Sequence, residues 1–223
     1  MIIERQDIIN KIQSCINLYK GKYGEVNPVY DYVETYVIDN VEFIIGMYKG
    51  RPNHAEINLC GSNQPMDWIK NFMVAMKKIP YNINSKIRVQ EGWYIDYLKT
   101  RDIILKLNKH FESFDYYGHS KGYPGSQLGA ADMQYNFLEK KIRCFGFGGP
   151  AVFNKEGAES FNRRVTENVL FVYNGDLVSK VPLRYTQTEK IYNFDKVPDG
   201  KFINHYPINY LKAAYLLPEV FEI

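Results

Sequence analysis

Gly118-His119-Ser120-Lys121-Gly122 sets one hydroxyl between two glycines. The run 114–118 before it reads as a short strand, and the residues after it as a helix. A strand turning directly into a helix forces its middle residue into strained backbone angles. The residues two before and two after must then lack side chains, because the two elements approach closely. This is the G-x-S-x-G arrangement in the context that gives it weight; the pattern without that context is weak. The chemistry it suits is nucleophilic attack by Ser120 on an acyl carbonyl, with the serine oxygen exposed at the top of a sheet. Helix N-terminal N–H groups beside it favour developing negative charge. The plainer reading is a glycine-rich turn with a solvent-exposed serine. Pro124 fits the first turn of a helix, where N–H groups have no internal partner; alternatively Tyr123-Pro124-Gly125 widens that turn.

A serine hydroxyl needs a base to take its proton, and the base needs a third group to orient it. In a strand–turn–helix setting the order along the chain is serine, acid, histidine. Of the four histidines, His54 and His110 lie upstream of the serine, and His119 adjoins it with its side chain expected on the other side of the turn. Only His205 follows, in a loop before the last predicted helix. Between Ser120 and His205, Asp176 lies just past the apolar run 168–174 and beside Gly175, where a carboxylate reaches the top of a sheet. Asp195 and Asp199 are the reserves. The oxyanion needs two donors. The N–H of Lys121 is one, and the loop Gly61-Ser62, after the strand-like run 55–61, offers the other. That loop also reads simply as a connection capped by Asp67.

These side chains need elements to hold them. Residues 5–19 place Ile8, Ile9, Ile12, Cys15, Ile16 and Tyr19 at helical spacing. Residues 31–60 are strand-like, rich in Val, Ile and Tyr and broken at Asp39-Asn40 and Arg51-Pro52-Asn53. Helices are predicted over 67–78, 93–111 and 155–165, and from Pro207, with Leu211, Ala214 and Tyr215 on one face. Strands are predicted over 114–118, 142–148 and 168–174. From residue 93 onward helix and strand alternate, which predicts a parallel sheet wrapped by helices. Ligands then bind beyond the carboxyl ends of the strands. Ser120, Asp176 and the Gly61-Ser62 loop follow such ends.

The blocks CGSNQPMDWIKNF, QEGWYIDYLKTRDIILKL, FGFGGPAVFNKEGAESFN and YNGDLVSKVP, in this order around the serine turn, resemble the class 3 lipase family of fungal triacylglycerol lipases and their bacterial and plant relatives. The similarity spans roughly residues 40 to 216. It implies an α/β-hydrolase fold, a mostly parallel central sheet with helices on both faces. It implies a serine esterase or lipase working through an acyl-enzyme on ester or lipid substrates. Carried over residue by residue, Ser120 is the nucleophile, Asp176 the acid and His205 the base, and Ser62 and Lys121 supply the oxyanion N–H groups. Fungal relatives carry a lid helix over the serine. The matching region here holds Met66, Trp68, Ile69, Phe72 and Met73, an apolar set for a lid or an acyl groove, or for a helix packed on the core. The sequence differs from the family pattern at Cys60, where arginine is usual, and at Gln90, where histidine is common. Two competing readings keep the fold: a non-catalytic binding or signalling module, and an acyltransferase using the same nucleophile.

The whole chain of 223 residues fits one α/β-hydrolase domain, with an N-terminal helix and strands over 1–62 and a hydrolase core over 63–223. Its 45% hydrophobic and 24% charged residues are ordinary globular values. A net charge of +3 with interspersed signs gives no basic stripe and no case for nucleic acid. Three cysteines cannot all pair internally and fit no metal knuckle, so reduced thiols and a cytoplasmic setting are expected. MIIERQDIINKIQ lacks the apolar core of a signal peptide, and no run has the length of a membrane span. The expected partner is an ester or lipid molecule, with transient contact at a lipid surface. No metal or organic cofactor is implied.

Overall fold

The computed structural model describes residues 1–21, 30–39, 41–48, 50–61, 76–79, 85–182, 185–188, 190–194 and 205–223. The chain begins with strand β1 (Ile2–Glu4) and helix α1 (Arg5–Tyr19), continues through β2 (Tyr30–Ile38), β3 (Val41–Tyr48) and β4 (His54–Leu59), and reaches the short β5 (Met76–Lys78) and β6 (Arg88–Gln90). Then come α2 (Glu91–Lys106), β7 (Ser113–His119), α3 (Gly122–Asn136), β8 (Lys141–Phe147), α4 (Lys155–Arg164) and β9 (Glu167–Tyr173). The last elements are β10 (Ile191–Phe194), α5 (Pro207–Ala214) and β11 (Val220–Glu222).

Among the described residues the central sheet has the order β10-β9-β8-β7-β4-β3-β2. From β4 to β10 neighbouring strands run parallel, and β2, β3 and β4 form an antiparallel meander at the other edge. Register aligns Leu59 with Gly118, Gly118 with Gly146 and Phe147 with Phe171, so the carboxyl ends of β4, β7, β8 and β9 share one rim. This is the α/β-hydrolase fold.

Strand alternation divides the core in two. Phe114, Tyr116, Cys144 and Leu170 face Trp93, Tyr97, Leu128, Met133 and Phe161 from α2, α3 and α4. Tyr117, Phe145, Val169 and Phe171 face Ile8, Ile12, Ile16, Tyr210 and Ala214 from α1 and α5. Helices therefore cover both faces. Leu211 and Ala214 are buried as their spacing predicts, whereas Tyr215 points to solvent, because α5 ends at Ala214. The predicted helix over 67–78 needs one correction. Met76–Lys78 is a strand, paired antiparallel with β6; residues 67–75 lie outside the described residues. Its periodicity had no way to register a partner strand ten residues further on.

At the opposite rim, where β4 and β7 begin, charge is buried. Lys11 of α1 is fully enclosed, its Nζ 2.9 Å from Glu56 Oε1, 2.9 Å from Asp115 Oδ2 and 2.5 Å from Asp7 Oδ1. Arg143 pairs with Asp115 as well. Burial opposes the charge on Lys11, but the three carboxylates outweigh it and hold its pKa well above the ordinary lysine value. Burial likewise opposes ionisation of Asp115, and Lys11, His54 and Arg143 reverse that to leave its pKa well below the usual range. His54, Glu56 and Asp115 are close enough together to hold a metal ion, but the Lys11 ammonium already sits against both carboxylates. Lys11→Met keeps the stem's packing and strands these carboxylates. We expect a loss of about 3–5 kcal/mol, read as a thermal midpoint lower by on the order of 10 °C.

Candidate active site

The turn after β7 has the geometry its glycines imply. Ser120 takes φ +55°, left-handed for a residue with a side chain. A Cβ on Gly118 would lie 2.4 Å from the Gly122 carbonyl carbon, and one on Gly122 would lie 2.0 Å from the Leu59 carbonyl oxygen. No side chain fits at either place. Ser120 N–H donates to the Phe147 carbonyl at 3.0 Å, pinning the turn to β8. Helix α3 starts at Gly122 as regular α-helix, with Pro124 in its first turn; the widened turn is not formed. Tyr123 is fully buried under Gly146 and Gly149, where any Cβ would collide with its ring.

Three side chains distant in the chain meet at this rim. Ser120 Oγ lies 2.8 Å from His205 Nε2, and His205 Nδ1 lies 2.9 Å from Asp176 Oδ2. A carboxylate only accepts, so Nδ1 carries the proton and Nε2 faces the serine as an acceptor. Asp176 is 1% exposed and fully engaged. Its Oδ1 accepts from Val178 N–H at 2.8 Å, and its Oδ2 also accepts from the Tyr210 hydroxyl at 2.6 Å. Gly175, at φ +86°, makes the turn that delivers it. Gly148, at φ +59°, leaves the needed space, since a Cβ there would lie 2.5 Å from Asp176 Oδ2.

Tyr210 carries no local sequence signal beyond an apolar helical position. Its hydroxyl donates to Asp176 and accepts from Tyr173 N–H at 3.1 Å, so it ties α5 to β9 through the acid. Burial, then the adjacent carboxylate, raise its pKa well above the ordinary tyrosine value, keeping it a donor. Tyr210→Phe removes one of the hydrogen bonds that hold Asp176. We expect kcat on a soluble ester to fall roughly tenfold with little change in KM, since a hydrogen bond to a charged group is worth about 1.5–3 kcal/mol.

Two further expectations are corrected. Ser120 is completely buried rather than exposed at the top of the sheet. Tyr19, at the end of α1, reaches over this rim, and its hydroxyl is near enough to interact with Ser120. His119 does not point away from the site. Strand alternation sets it on the face of Asp115 and Tyr117, towards α1 and α5, and its ring centroid lies 4.8 Å from that of His205. Both residues were legible only as a core position and a turn neighbour.

Lys121 is the N-cap residue of α3, directly after Ser120, and its Nζ pairs with Asp96 Oδ2 of α2 at 2.6 Å. The loop after β4 arrives at the same place, because a Cβ on Gly61 would come within 2.7 Å of the His119 carbonyl oxygen. Ser62 lies outside the described residues, as do Met66, Trp68, Ile69, Phe72 and Met73, and so do Asp195 and Asp199. Cys60 is half-buried, and burial pushes its thiol up to about 12. Gln90 serves as a helix cap, its Oε1 accepting from Trp93 N–H at 2.7 Å.

The family profile of the class 3 lipases matches residues 57–186, more than half of the sequence. The chain belongs to the class 3 lipase family. Like its relatives, this class 3 lipase is a serine carboxylester hydrolase acting on ester or lipid substrates, and membership disfavours the non-catalytic reading. Its fold is shared with the Rhizomucor miehei lipase in its propeptide complex, at 14% identity and a TM-score of 0.75 over 87% of this chain and 71% of that one. The lipase from Rhizopus microsporus var. chinensis superposes with a TM-score of 0.72 at 14% identity, over 88% and 78% of the two chains. No curated protein sequence matches the class 3 lipase described here. Among its described residues no helix is long and apolar enough to cross a membrane.

Proposed function

We propose that Ser120 is the nucleophile of this hydrolase, His205 its general base and acid, and Asp176 the group that orients and stabilises the imidazole. The observation that carries this is the unbroken line Ser120 Oγ–His205 Nε2, His205 Nδ1–Asp176 Oδ2, at 2.8 and 2.9 Å. His205 takes the hydroxyl proton as Ser120 Oγ bonds to the ester carbonyl carbon. The tetrahedral oxyanion is received by the N–H groups of Lys121 and Ser62. The proton then passes to the alkoxy oxygen as its bond to carbon breaks, releasing the alcohol and leaving an acyl-serine. Water, deprotonated by the same imidazole, reverses the sequence and frees the acid.

Labelling with a fluorophosphonate tests the assignment. Mass spectrometry should find one adduct on Ser120, lost in His205→Ala. Labelling elsewhere, or labelling that ignores His205, would sink it. Added alcohols separate transfer from hydrolysis, because an acyltransferase would yield the new ester in preference to the acid.

Exposed Leu177, Tyr206 and Ile208 are chain neighbours of Asp176 and His205 and present apolar surface beside them. They support transient contact with a lipid surface, with the apolar residues from Met66 to Phe72 serving the acyl chain. Activity that rises when a triglyceride passes its solubility limit is the expected signature. A cytoplasmic setting fits the three free cysteines, and a single hydrolase domain over 1–223 fits the packing of α1 and α5 together on one face of the sheet.

A further inference from the structure

His119 takes no part in the line just described, yet both its ring nitrogens are engaged. Nε2 lies 2.7 Å from the main-chain oxygen of His205, and Nδ1 lies 2.8 Å from the hydroxyl of Tyr19. A carbonyl oxygen can only accept, so Nε2 carries the proton. Nδ1 is then bare and accepts from the Tyr19 O–H. An imidazolium here is disfavoured by burial, and next by the neighbouring His205, which together hold the His119 pKa well below 6.5. Burial raises the Tyr19 pKa, so the phenol stays a donor. Its oxygen rests on Gly61, where a Cβ would lie 1.7 Å away; only glycine admits it.

We infer that Tyr19 and His119 are positioning residues for the base: the Tyr19 hydroxyl holds the His119 ring from its Nδ1 side, and the Nε2–H of that ring holds the main chain of His205. The inference rests on the reading of Ser120, His205 and Asp176 given above. It adds a second point of attachment for the base. Asp176 holds the ring of His205, and His119 holds its backbone two residues before Pro207 opens α5. Residue 119 is also bonded directly to the nucleophile. Base and serine are thereby registered through a single peptide unit rather than across the sheet, with the left-handed φ of Ser120 setting the angle between them.

Paired amide substitutions separate this role from general packing. In His119→Asn the side-chain nitrogen falls near the place of Nδ1 and cannot reach residue 205. In His119→Gln it falls near the place of Nε2 and can donate to the carbonyl. A misplacement of about 1 Å can cost about 100-fold, so kcat on a soluble ester should fall on that order in His119→Asn with KM nearly unchanged, and recover to within about fivefold of wild type in His119→Gln. Rates are taken per site titrated to completion with fluorophosphonate, so unfolded protein does not count. Tyr19→Phe is the second variant. Its imidazole 15N spectrum should keep His119 as the Nε2–H tautomer, because the residue 205 carbonyl still accepts from it, while the Nδ1 resonance shifts on losing its donor and kcat falls by about tenfold. Wild-type kcat in His119→Asn, equal losses in the Asn and Gln variants, or an unchanged His119 Nδ1 resonance in Tyr19→Phe each overturn the inference. If instead wild-type enzyme takes no label at Ser120, it is the assignment of the nucleophile that fails.

Discussion

Ser120→Ala is expected to lower kcat on a soluble ester by on the order of a million-fold, leaving the residual rate that binding and oxyanion donors supply without a nucleophile. The substitution suits the test because it is structurally mild. Alanine keeps the Cβ, the turn stays pinned by the bond from residue 120 N–H to the Phe147 carbonyl, and only the hydroxyl's contacts with the His205 ring and the Tyr19 phenol are lost. The thermal midpoint should therefore stay close to wild type, and fluorophosphonate labelling should vanish. A variant that hydrolyses a chromogenic ester at near-normal rate would show that the reacting oxygen lies elsewhere.

Asp176→Asn is expected to cost about ten-thousand-fold in kcat at neutral pH. The neighbours decide which way the new amide faces. Val178 N–H donates to Oδ1, so an amide nitrogen there would set donor against donor, and the side-chain oxygen must take that place. The NH2 then falls at the position of Oδ2, facing Tyr210 and His205 Nδ1. His205 can satisfy it only by moving its proton to Nε2, which turns the base into a donor aimed at the serine. Loss of rate with retained folding and a changed His205 tautomer is the expected pattern. Loss that tracks unfolding would assign Asp176 a structural role instead. Tyr210→Phe in the same background should add little, because its partner is already compromised.

The sequence made the rim that carries Ser120 legible through local constraints. Gly118 and Gly122 flank the serine because backbone passes within contact distance there, and that requirement is written in neighbouring letters. Asp176 and His205 were singled out by order along the chain and by exclusion of the other candidates, and both lie in one hydrogen-bonded line with Ser120. Helix α1 and strands β7 to β9 followed from periodicity that repeats within each segment. What stayed hidden is pairing at a distance. Tyr19 reads as part of an apolar helix face and Tyr210 falls outside the face assigned to the last helix; their hydroxyls acquire partners only when the terminal helices close over the sheet. Lys11 is the same case in charged form, since nothing near it in sequence except Asp7 announces Glu56 or Asp115. The strand at Met76–Lys78 depended on a partner beyond the window in which its helical spacing was judged. His119 was legible only as a neighbour of the serine turn; its place on the α1 side and its contact with residue 205 required the fold.

Helix α1 has a practical bearing on how this enzyme is handled. Its phenol reaches the Ser120 turn, its ammonium neutralises acids at the far rim, and the strand before it pairs with β11. A recombinant version trimmed to begin at residue 20, as though the amino-terminal stretch were a dispensable leader, would forfeit all three at once. Fusion partners are better attached by a linker that leaves Ile2–Glu4 able to lie along the last strand.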